Sequence, residues 1–157
     1  MKILWTDGSA NPNPGPGGYA VIEACDDKAR PVALGRESDT TNIRMEGMAM
    51  IAAIKYAGAE GCEIHSDSEF WINVLTKWAP AWAKHEWHKS ADAKRDEKGN
   101  IIGWKKSSIK NLDLVQELYG LYCEHQVKLI WVRGHVGTTY NELADKWAKK
   151  ARKGAKK

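Results

Sequence analysis

The chain has 157 residues, of which 43% are hydrophobic and 28% are charged, and its net charge is +4 at neutral pH. This length suits one domain with a substantial buried core. The N-terminus MKILWTDGS has one lysine and an apolar run that is too short for a signal peptide, and no run approaches the roughly 18 apolar residues of a membrane span, so we expect neither a secreted nor a membrane protein. The three cysteines are odd in number and form no CxxC pair, which argues against a disulfide framework or a zinc site and favours a cytoplasmic location.

Basic residues are concentrated in two segments. Residues 77–110 contain 9 basic and 4 acidic residues, and residues 146–157 contain 7 basic residues and no acidic ones, whereas residues 1–76 contain 11 acidic and 6 basic ones. Segment 77–110 also contains four tryptophans, and basic side chains mixed with aromatic ones favour contact with nucleic acid. The alternative is a solubilising surface and, for the second segment, a frayed lysine tail.

In chain order, three strands are predicted first. Residues 3–6, 18–23 and 32–35 are apolar runs separated by glycine- and proline-rich turns, and their direct succession implies antiparallel pairing. A core-facing helix is then predicted over residues 45–59. Its apolar side chains recur three and four residues apart, at Met45, Met48, Ala49, Ala52, Ala53 and Tyr56.

The second half of the chain is predicted to alternate strands and helices. A short strand covers residues 62–65, and Ser66 to Glu69 have the S-x-x-E form of a capping box that opens a helix through residue 78. Helices are also predicted over residues 112–125 and 141–150, on either side of a strand at 127–132. Within 91–110, the sequence EKGNIIGW leaves two alternatives open, a hairpin around Gly99 and Asn100 or a mobile loop.

This order of elements predicts an α/β fold with a five-stranded mixed sheet and helices on both faces. The first, fourth and fifth strands can be parallel neighbours because each later strand follows a helical crossover. The sequence shows no internal repeat and no low-complexity linker. We therefore expect a single domain over residues 1–157, with a basic region at 77–110 and a mobile basic tail at 151–157.

Four acidic side chains should meet at one edge of this sheet. Asp7 ends the first strand, Asp67 follows the fourth, Glu46 lies near the start of the first helix, and Asp145 lies in the first turn of the last helix. Four such carboxylates would repel one another unless divalent cations neutralise them. Oxygen ligands favour Mg²⁺ or Mn²⁺, and two such ions about 3.5–4 Å apart can act on a phosphodiester.

Taken singly, three of these acids have simpler explanations. Asp67 and Asp145 suit the first turn of a helix, where the helix dipole favours a negative charge, and Glu46 suits a solvated helix face. Asp7 is different, because a carboxylate at the end of an apolar strand needs a partner that the strand itself does not supply.

Four motifs resemble the ribonuclease H type 1 family. TDGSANPNPGPGG, TTNIRME, SDS and RGHVGTTYNELAD occur in this order along nearly the whole chain, and TKWAPAWAKHEW resembles the basic handle of bacterial members. The resemblance implies the ribonuclease H-like fold and an endonuclease that hydrolyses the RNA strand of RNA/DNA hybrids. It also implies two Mg²⁺ ions, for which Mn²⁺ can substitute, and products with 5′-phosphate and 3′-hydroxyl ends.

The resemblance also implies roles for individual residues. The family's metal ligands match Asp7, Glu46, Asp67 and Asp145, and its mobile catalytic histidine matches His135. Of the five histidines, His135 is the one in a glycine-flanked loop before Asp145, where its near-neutral pKa suits proton exchange. The family's contacts to the substrate, to a DNA phosphate and to the DNA-strand groove match Asn13, Asn42, Thr41, Asn111, Phe70, Trp78 and Trp82.

Three positions depart from the family's pattern. Asp39 stands where an arginine often lies near the DNA phosphate pocket, so we expect this pocket to be weaker, or to be rebuilt by Arg36 or Arg44. Ile43 replaces a polar residue, and Glu69 stands where the family has glutamine or methionine.

Two alternatives to a hybrid-specific nuclease remain. A noncatalytic hybrid- or duplex-binding module would explain the basic segments but not the four acids, and another nuclease of the same superfold would share the acids but should lack the asparagine/glycine loop and the handle. We expect a monomer whose partner is an RNA/DNA hybrid and not a membrane.

Overall fold

Three antiparallel strands begin the sheet: β1 (Lys2–Ala10), β2 (Gly15–Cys25) and β3 (Lys28–Thr40). The structure is a computed structural model and describes residues 1–26, 28–133 and 139–154. β3 is much longer than the predicted strand at 32–35, because its pairing with β2 continues to Thr40 through polar residues that no apolar pattern marks.

Parallel strands complete the sheet. β4 (Cys62–Ser66) pairs with β1 on one side and with β7 (Val127–Trp131) on the other, which gives the order β3-β2-β1-β4-β7. The prediction of a five-stranded mixed sheet is confirmed. A separate antiparallel hairpin consists of β5 (Ala93–Arg95) and β6 (Ile101–Trp104), so of the two alternatives for EKGNIIGW the hairpin is confirmed.

Helices cover both faces of the sheet. α1 (Asn42–Ala57) packs on one face, where Leu4, Val21 and Ile64 enter the main core. α5 (Thr139–Gly154) packs on the other face, in a smaller cluster with Trp5 and Ile22. Successive strand residues point to opposite faces, which is why Leu4 and Trp5 enter different cores.

The predicted helix from Ser66 to Trp78 is divided into two helical segments, and a third segment follows it. α2 (Glu69–Asn73), a π-helical turn (Val74–Trp78) and α3 (Ala79–Lys84) follow one another directly. The predicted capping box, with Ser66 as the N-cap, was wrong. The N-cap is Ser68, whose hydroxyl accepts a hydrogen bond from Trp71 N, and Ser66 is still part of β4. Ser66 Oγ instead accepts a hydrogen bond from Ser68 N and so fixes the turn between strand and helix.

The last helices match their predicted places. α4 (Leu112–Glu124) ends one residue before the prediction, and α5 begins two residues before it and runs four residues further. Across the described residues, no helix combines the length and the apolarity that a membrane crossing needs.

Candidate active site

Asp7 lies near the carboxyl end of the central strand and is 7% exposed. β1 and β4 are parallel and pair Leu4 with Ile64 and Trp5 with His65. Continued by two residues, this register places Asp7 beside Asp67, the first residue after β4. Two neighbouring parallel strands therefore deliver one carboxylate each to the same edge of the sheet.

Glu46 reaches this edge because α1 lies directly on β1. The hydroxyl of Thr41 accepts a hydrogen bond from Arg44 N and starts the helix. Gly8, next to Asp7, allows the close contact, since a Cβ atom there would collide with the backbone of Met45 and Glu46. Glycine at this position thus determines how near the first helical turn comes to the strand end.

Three carboxylates form a compact group. Asp7, Glu46 and Asp67 each offer an oxygen, and these oxygens lie within 4.8 Å of one another. Burial, together with the charge of Asp67, raises the pKa of Asp7 to about 8, although its Oδ1 accepts a hydrogen bond of 2.9 Å from Gly8 N. Burial also raises the pKa of Glu46 to about 7, against a hydrogen bond from Ser68. A bound cation would stabilise the ionised form of these carboxylates and so oppose the rise in their pKa values.

Asp145 lies outside this compact group but close to it. It is half-buried in α5, and its charge is one of the causes that raise the pKa of Asp7. Its Oδ2 pairs at 3.0 Å with Lys149 Nζ one helical turn further on. The structure therefore brings three of the four predicted acids together and places the fourth beside them.

His135 lies outside the described residues, and its predicted role stays a prediction. The other four histidines are described. His65 stacks on Trp5 with ring centroids 4.2 Å apart and contacts Glu63 Oε2 at 2.7 Å. His88 and His125 each place Nδ1 near a backbone carbonyl oxygen, and His85 is exposed.

Two predicted substrate-contacting asparagines are held by the backbone. Asn42 Oδ1 accepts a hydrogen bond from Ala10 N at 2.6 Å, and Asn13 Oδ1 accepts one from Asn42 N at 3.1 Å. These bonds connect the loop after β1 to the start of α1. They also engage the carbonyl oxygen of each amide and leave Nδ2 as the donor group of each side chain.

The predicted phosphate pocket has an arginine in it. Arg44 donates to Asn111 Oδ1 at 3.2 Å and forms a two-armed ion pair with Asp113, at 3.1 and 2.8 Å. The backbone N of Arg44 also donates to the hydroxyl of Thr41, so Arg44 contacts both predicted pocket residues, Thr41 and Asn111. Of the two arginines expected to rebuild the pocket, Arg44 lies there, whereas Arg36 lies against Gly154 at the end of α5.

The predicted aromatic residues form one groove. Trp78 has ring centroids 6.1 Å from both Phe70 and Trp82 and is 40% exposed. Lys89 and Lys110 line the same groove, whose volume is about 410 Å³, and Lys89 Nζ lies 5.8 Å from the ring centroid of Trp82. Rings and ammonium groups side by side are suited to sugars and phosphates of a strand.

Several residues near these sites were not assigned from the sequence. Ser68 hydrogen-bonds Glu46, and the motif SDS contains it. Asp92 in the handle region and Arg152 in α5 gave no signal, because their contacts are with residues distant in the sequence: Ser108 for Asp92 and Ser9 for Arg152.

The sheet order and the acidic edge together define an α/β protein with a candidate metal site. The profile of the RNase H family matches residues 1–153. The chain belongs to the RNase H family, a metal-dependent family that acts on RNA/DNA hybrids. The predicted family, fold and enzyme class are thereby confirmed.

Individual proteins of this family are similar over nearly their whole length. A ribonuclease H of Syntrophomonas wolfei is 37% identical over 152 residues, which cover 95% of this chain and 94% of that protein. A ribonuclease H of a Caulobacter species is 36% identical over 148 residues, or 94% of this chain and 86% of that protein.

Solved structures show the same fold. The crystal structure of LC9-RNase H1, described as a type 1 RNase H with the type 2 active-site motif, superposes with a TM-score of 0.75 at 28% identity and covers 98% of this chain and 72% of that one. A foamy viral protease-reverse transcriptase in complex with dsDNA gives a TM-score of 0.72 at 18% identity, over 96% of this chain and 93% of that one.

Proposed function

We propose that this chain is an endonuclease that hydrolyses the RNA strand of RNA/DNA hybrids at the group formed by Asp7, Glu46 and Asp67, with Asp145 and His135 assisting. The observation that carries this proposal is the convergence of three carboxylate oxygens within 4.8 Å in a chain of the RNase H family. A noncatalytic binding module would have no use for such a group, since close carboxylates oppose one another's ionisation.

The residues fit two Mg²⁺ ions, for which Mn²⁺ can substitute. The donor set is made of carboxylate oxygens alone, as hard cations prefer. Burial first, and then the charge of Asp67, raises the pKa values of Asp7 and Glu46, and a bound cation would offset both effects. When bound, the ions supply charge stabilisation for an in-line displacement at phosphorus, with 5′-phosphate and 3′-hydroxyl ends as products.

The chain's own residues select and orient the hybrid. The Nδ2 donors of Asn13, in the loop after β1, and of Asn42, at the start of α1, can bond to 2′-hydroxyls in the wide minor groove of an A-like duplex. Thr41, Asn111 and Arg44 bind a phosphate of the DNA strand, and the groove of Phe70, Trp78 and Trp82 holds that strand further along. His135 exchanges a proton during the reaction.

We further propose that the chain acts as one domain and as a monomer in the cytoplasm, with residues 77–110 as the basic handle. The three cysteines are free, which suits a reducing compartment. The hairpin β5–β6 lies inside this handle region and lengthens it.

The test compares substrates and variants. We expect Mg²⁺-dependent cleavage of RNA in a hybrid and none of single-stranded RNA or duplex DNA. Asp7→Asn should abolish hydrolysis and keep hybrid affinity within a few-fold of the parent value, because it removes a ligand of the metal and not a contact to phosphate. Asp26→Asn is the matched control, since Asp26 lies in an exposed turn after β2, at the opposite end of the sheet.

Each result separates the alternatives. Hybrid binding without any cleavage would favour the binding module, and cleavage of duplex DNA would favour another nuclease of the superfold. Asp7→Asn activity within tenfold of the parent would remove Asp7 from the site.

A further inference from the structure

Arg152 connects the last helix to the loop beside the acidic group. Its Nη1 donates to Ser9 Oγ at 2.6 Å across 143 residues of sequence. Ser9 precedes Ala10, whose N–H holds Asn42, so Arg152 is attached to the same stretch of backbone that orders the two asparagines.

The sheet register shows why Arg152 reaches this point. Ser9 pairs with Gly18, and Gly18 pairs with Arg36, so the three residues form a row across β1, β2 and β3. A Cβ atom at Gly18 would collide with the backbone of Ala148 and Arg152, which means that α5 lies directly over this row. Glycine in the middle of the row is what allows the helix to approach.

Arg152 and the acidic group lie on the same face of β1. Every second side chain of β1 points to the face that α5 covers, and this set includes Trp5, Asp7 and Ser9. Trp5 packs on this face with Ala144. Ser9 is two residues beyond Asp7, about 6.6 Å along the strand. A guanidinium group therefore lies at the next position of this face after the central carboxylate.

The contacts of Arg152 leave donors for a ligand. A guanidinium has five N–H donors, and hydrogen bonding to Ser9 uses one. Within the described part of the chain, its buried Nε has no hydrogen-bond partner. The neighbouring acid on α5, Asp145, pairs with Lys149, and residues 146–157 contain no acidic side chain.

We propose that Arg152 binds a phosphate of the RNA strand that flanks the scissile one. The inference rests on the proposed hydrolysis of RNA/DNA hybrids and adds a contact on the opposite face of the sheet from Thr41, Asn111 and Arg44. Those residues surround the start of α1 and suit the DNA strand, whereas α5 covers the other face. An arginine is suited to phosphate because its planar fork donates two parallel hydrogen bonds.

Arg36 and Lys150 extend this cationic edge. Both line a pocket of about 320 Å³ between β3 and α5, and Arg36 lies against Gly154. Lys150 Nζ lies 4.6 Å from the ring centroid of Trp147, which keeps the ammonium group at the surface. The acidic group thus lies between two basic regions, the handle and this edge, and both can hold a duplex that crosses it.

The experiment compares Arg152→Gln, Arg152→Ala and the control Lys153→Ala. Lys153 carries the same charge one residue away and is exposed. Gln keeps a donor for Ser9, so it removes the charge with little effect on the fold. Affinity for a hybrid is measured in EDTA at several salt concentrations, and cleavage by the unmodified protein is measured with Mg²⁺ in the same preparation.

We expect both Arg152 variants to bind roughly 10-fold more weakly, as for a lost hydrogen bond to a charged group, and the slope of log affinity against log salt to fall by about 0.9. Lys153→Ala should change affinity less than 2-fold. The decisive measurement is the affinity for hybrids in which one phosphate of the RNA strand at a time is replaced by an uncharged methylphosphonate. One neutralised position next to the scissile phosphate should weaken binding by the unmodified protein and have no effect on Arg152→Gln.

If neutralising each phosphate weakens binding equally for the parent protein and for Arg152→Gln, the proposal is overturned. Arg152 would then be a structural residue that connects α5 to β1. An equal loss in Lys153→Ala would also overturn the proposal, since only the total charge would then matter. Absence of RNA cleavage by the unmodified protein, with the binding pattern intact, would contradict the proposed function and not this inference.

Discussion

At the scale of single residues, burial and neighbouring charge explain why Asp7 differs from an ordinary surface acid. Burial, together with the charge of Asp67, raises the pKa of this aspartate, which is 7% exposed, to about 8, so a nearby cation would favour its ionised form. Asp92 is also buried, yet its pKa is lowered, because the hydrogen bond from Ser108 N and those from Lys89 N and Ser108 Oγ stabilise the carboxylate. The surroundings of a carboxyl group therefore decide whether its pKa is raised, as for Asp7, or lowered, as for Asp92.

The role of His135 can be tested by its effect on rate. We expect His135→Ala to lower kcat by roughly 10- to 1,000-fold with KM nearly unchanged, because proton transfer contributes about 10²-fold or more and the metal ligands are untouched. The measurement is a steady-state cleavage assay from pH 6 to 9. His125→Ala is the matched control, since His125 caps the end of α4 through Leu121 O. A lowered melting temperature with an unchanged pH profile would make His135 a structural residue.

At the scale of elements, Asp92 connects two segments of the handle. Its Oδ2 accepts hydrogen bonds from Lys89 N at 3.0 Å and from Ser108 N and Oγ at 3.0 and 3.1 Å. Lys89 lines the aromatic groove itself, and Ser108 is two residues before Lys110, which also lines it. One carboxylate therefore holds the backbone at Lys89 and at a point two residues before Lys110.

Removing this carboxylate should affect binding and not turnover. We expect Asp92→Ala to raise KM for a hybrid roughly 10-fold, because charge-assisted contacts to phosphate lose their fixed geometry, and to leave kcat within twofold. Asp92→Asn, which keeps one acceptor oxygen, should recover part of the affinity. Asp96→Ala is the control: Asp96 accepts bonds from Lys98 N and Asn100 N in the turn of the hairpin, away from the groove. An equal KM for all three variants and the parent would contradict this role.

The sequence predicted those elements whose pattern is local. Apolar spacing located α1 within a few residues, the helix predicted over residues 112–125 matches α4, and Gly99–Asn100 marked the hairpin. It misplaced the cap of α2, because Ser66 and Ser68 are both possible caps, and only the continuation of β4 pairing to Ser66 decides between them. It also shortened β3, whose outer residues are held by β2 and not by their own hydrophobicity.

The site was predictable to the same extent. Asp7, Asp67 and Glu46 followed from strand order and from the motifs, since each lies at the end or start of a predictable element. Asp92 and Arg152 did not, because their partners Ser108 and Ser9 lie 16 and 143 residues away, and only the folded chain fixes those positions. Arg44 was expected only as an alternative to Arg36, since its contact with Asp113 spans 69 residues.

At the scale of the whole molecule, the acidic group should make stability depend on pH and metal. The pKa values of Asp7 and Glu46 are raised in the folded protein, to about 8 and about 7, so between about pH 4 and pH 8 the folded state binds more protons than the unfolded state. Stability of the metal-free protein therefore falls as pH rises through this window. Glu23, Asp92, Asp96 and Asp113 have lowered pKa values and act in the opposite sense, but their contribution is complete above about pH 5.

We accordingly expect the Tm of the protein in EDTA to fall by several degrees between pH 5.5 and 8.5, since about 1 kcal/mol corresponds to roughly 2–8 °C for domains of this size range. Saturating Mg²⁺ should remove most of the fall at pH 8.5, because an ion present at 100 times its Kd stabilises the state that binds it by about 2.7 kcal/mol. Thermal unfolding followed by circular dichroism measures both. Asp7→Asn isolates the cause: its metal-free profile should be flatter and its response to Mg²⁺ smaller, while Asp26→Asn behaves as the parent does. If the metal-free profiles of Asp7→Asn and the parent coincide, repulsion and burial in the carboxylate group are not the cause of the pH dependence.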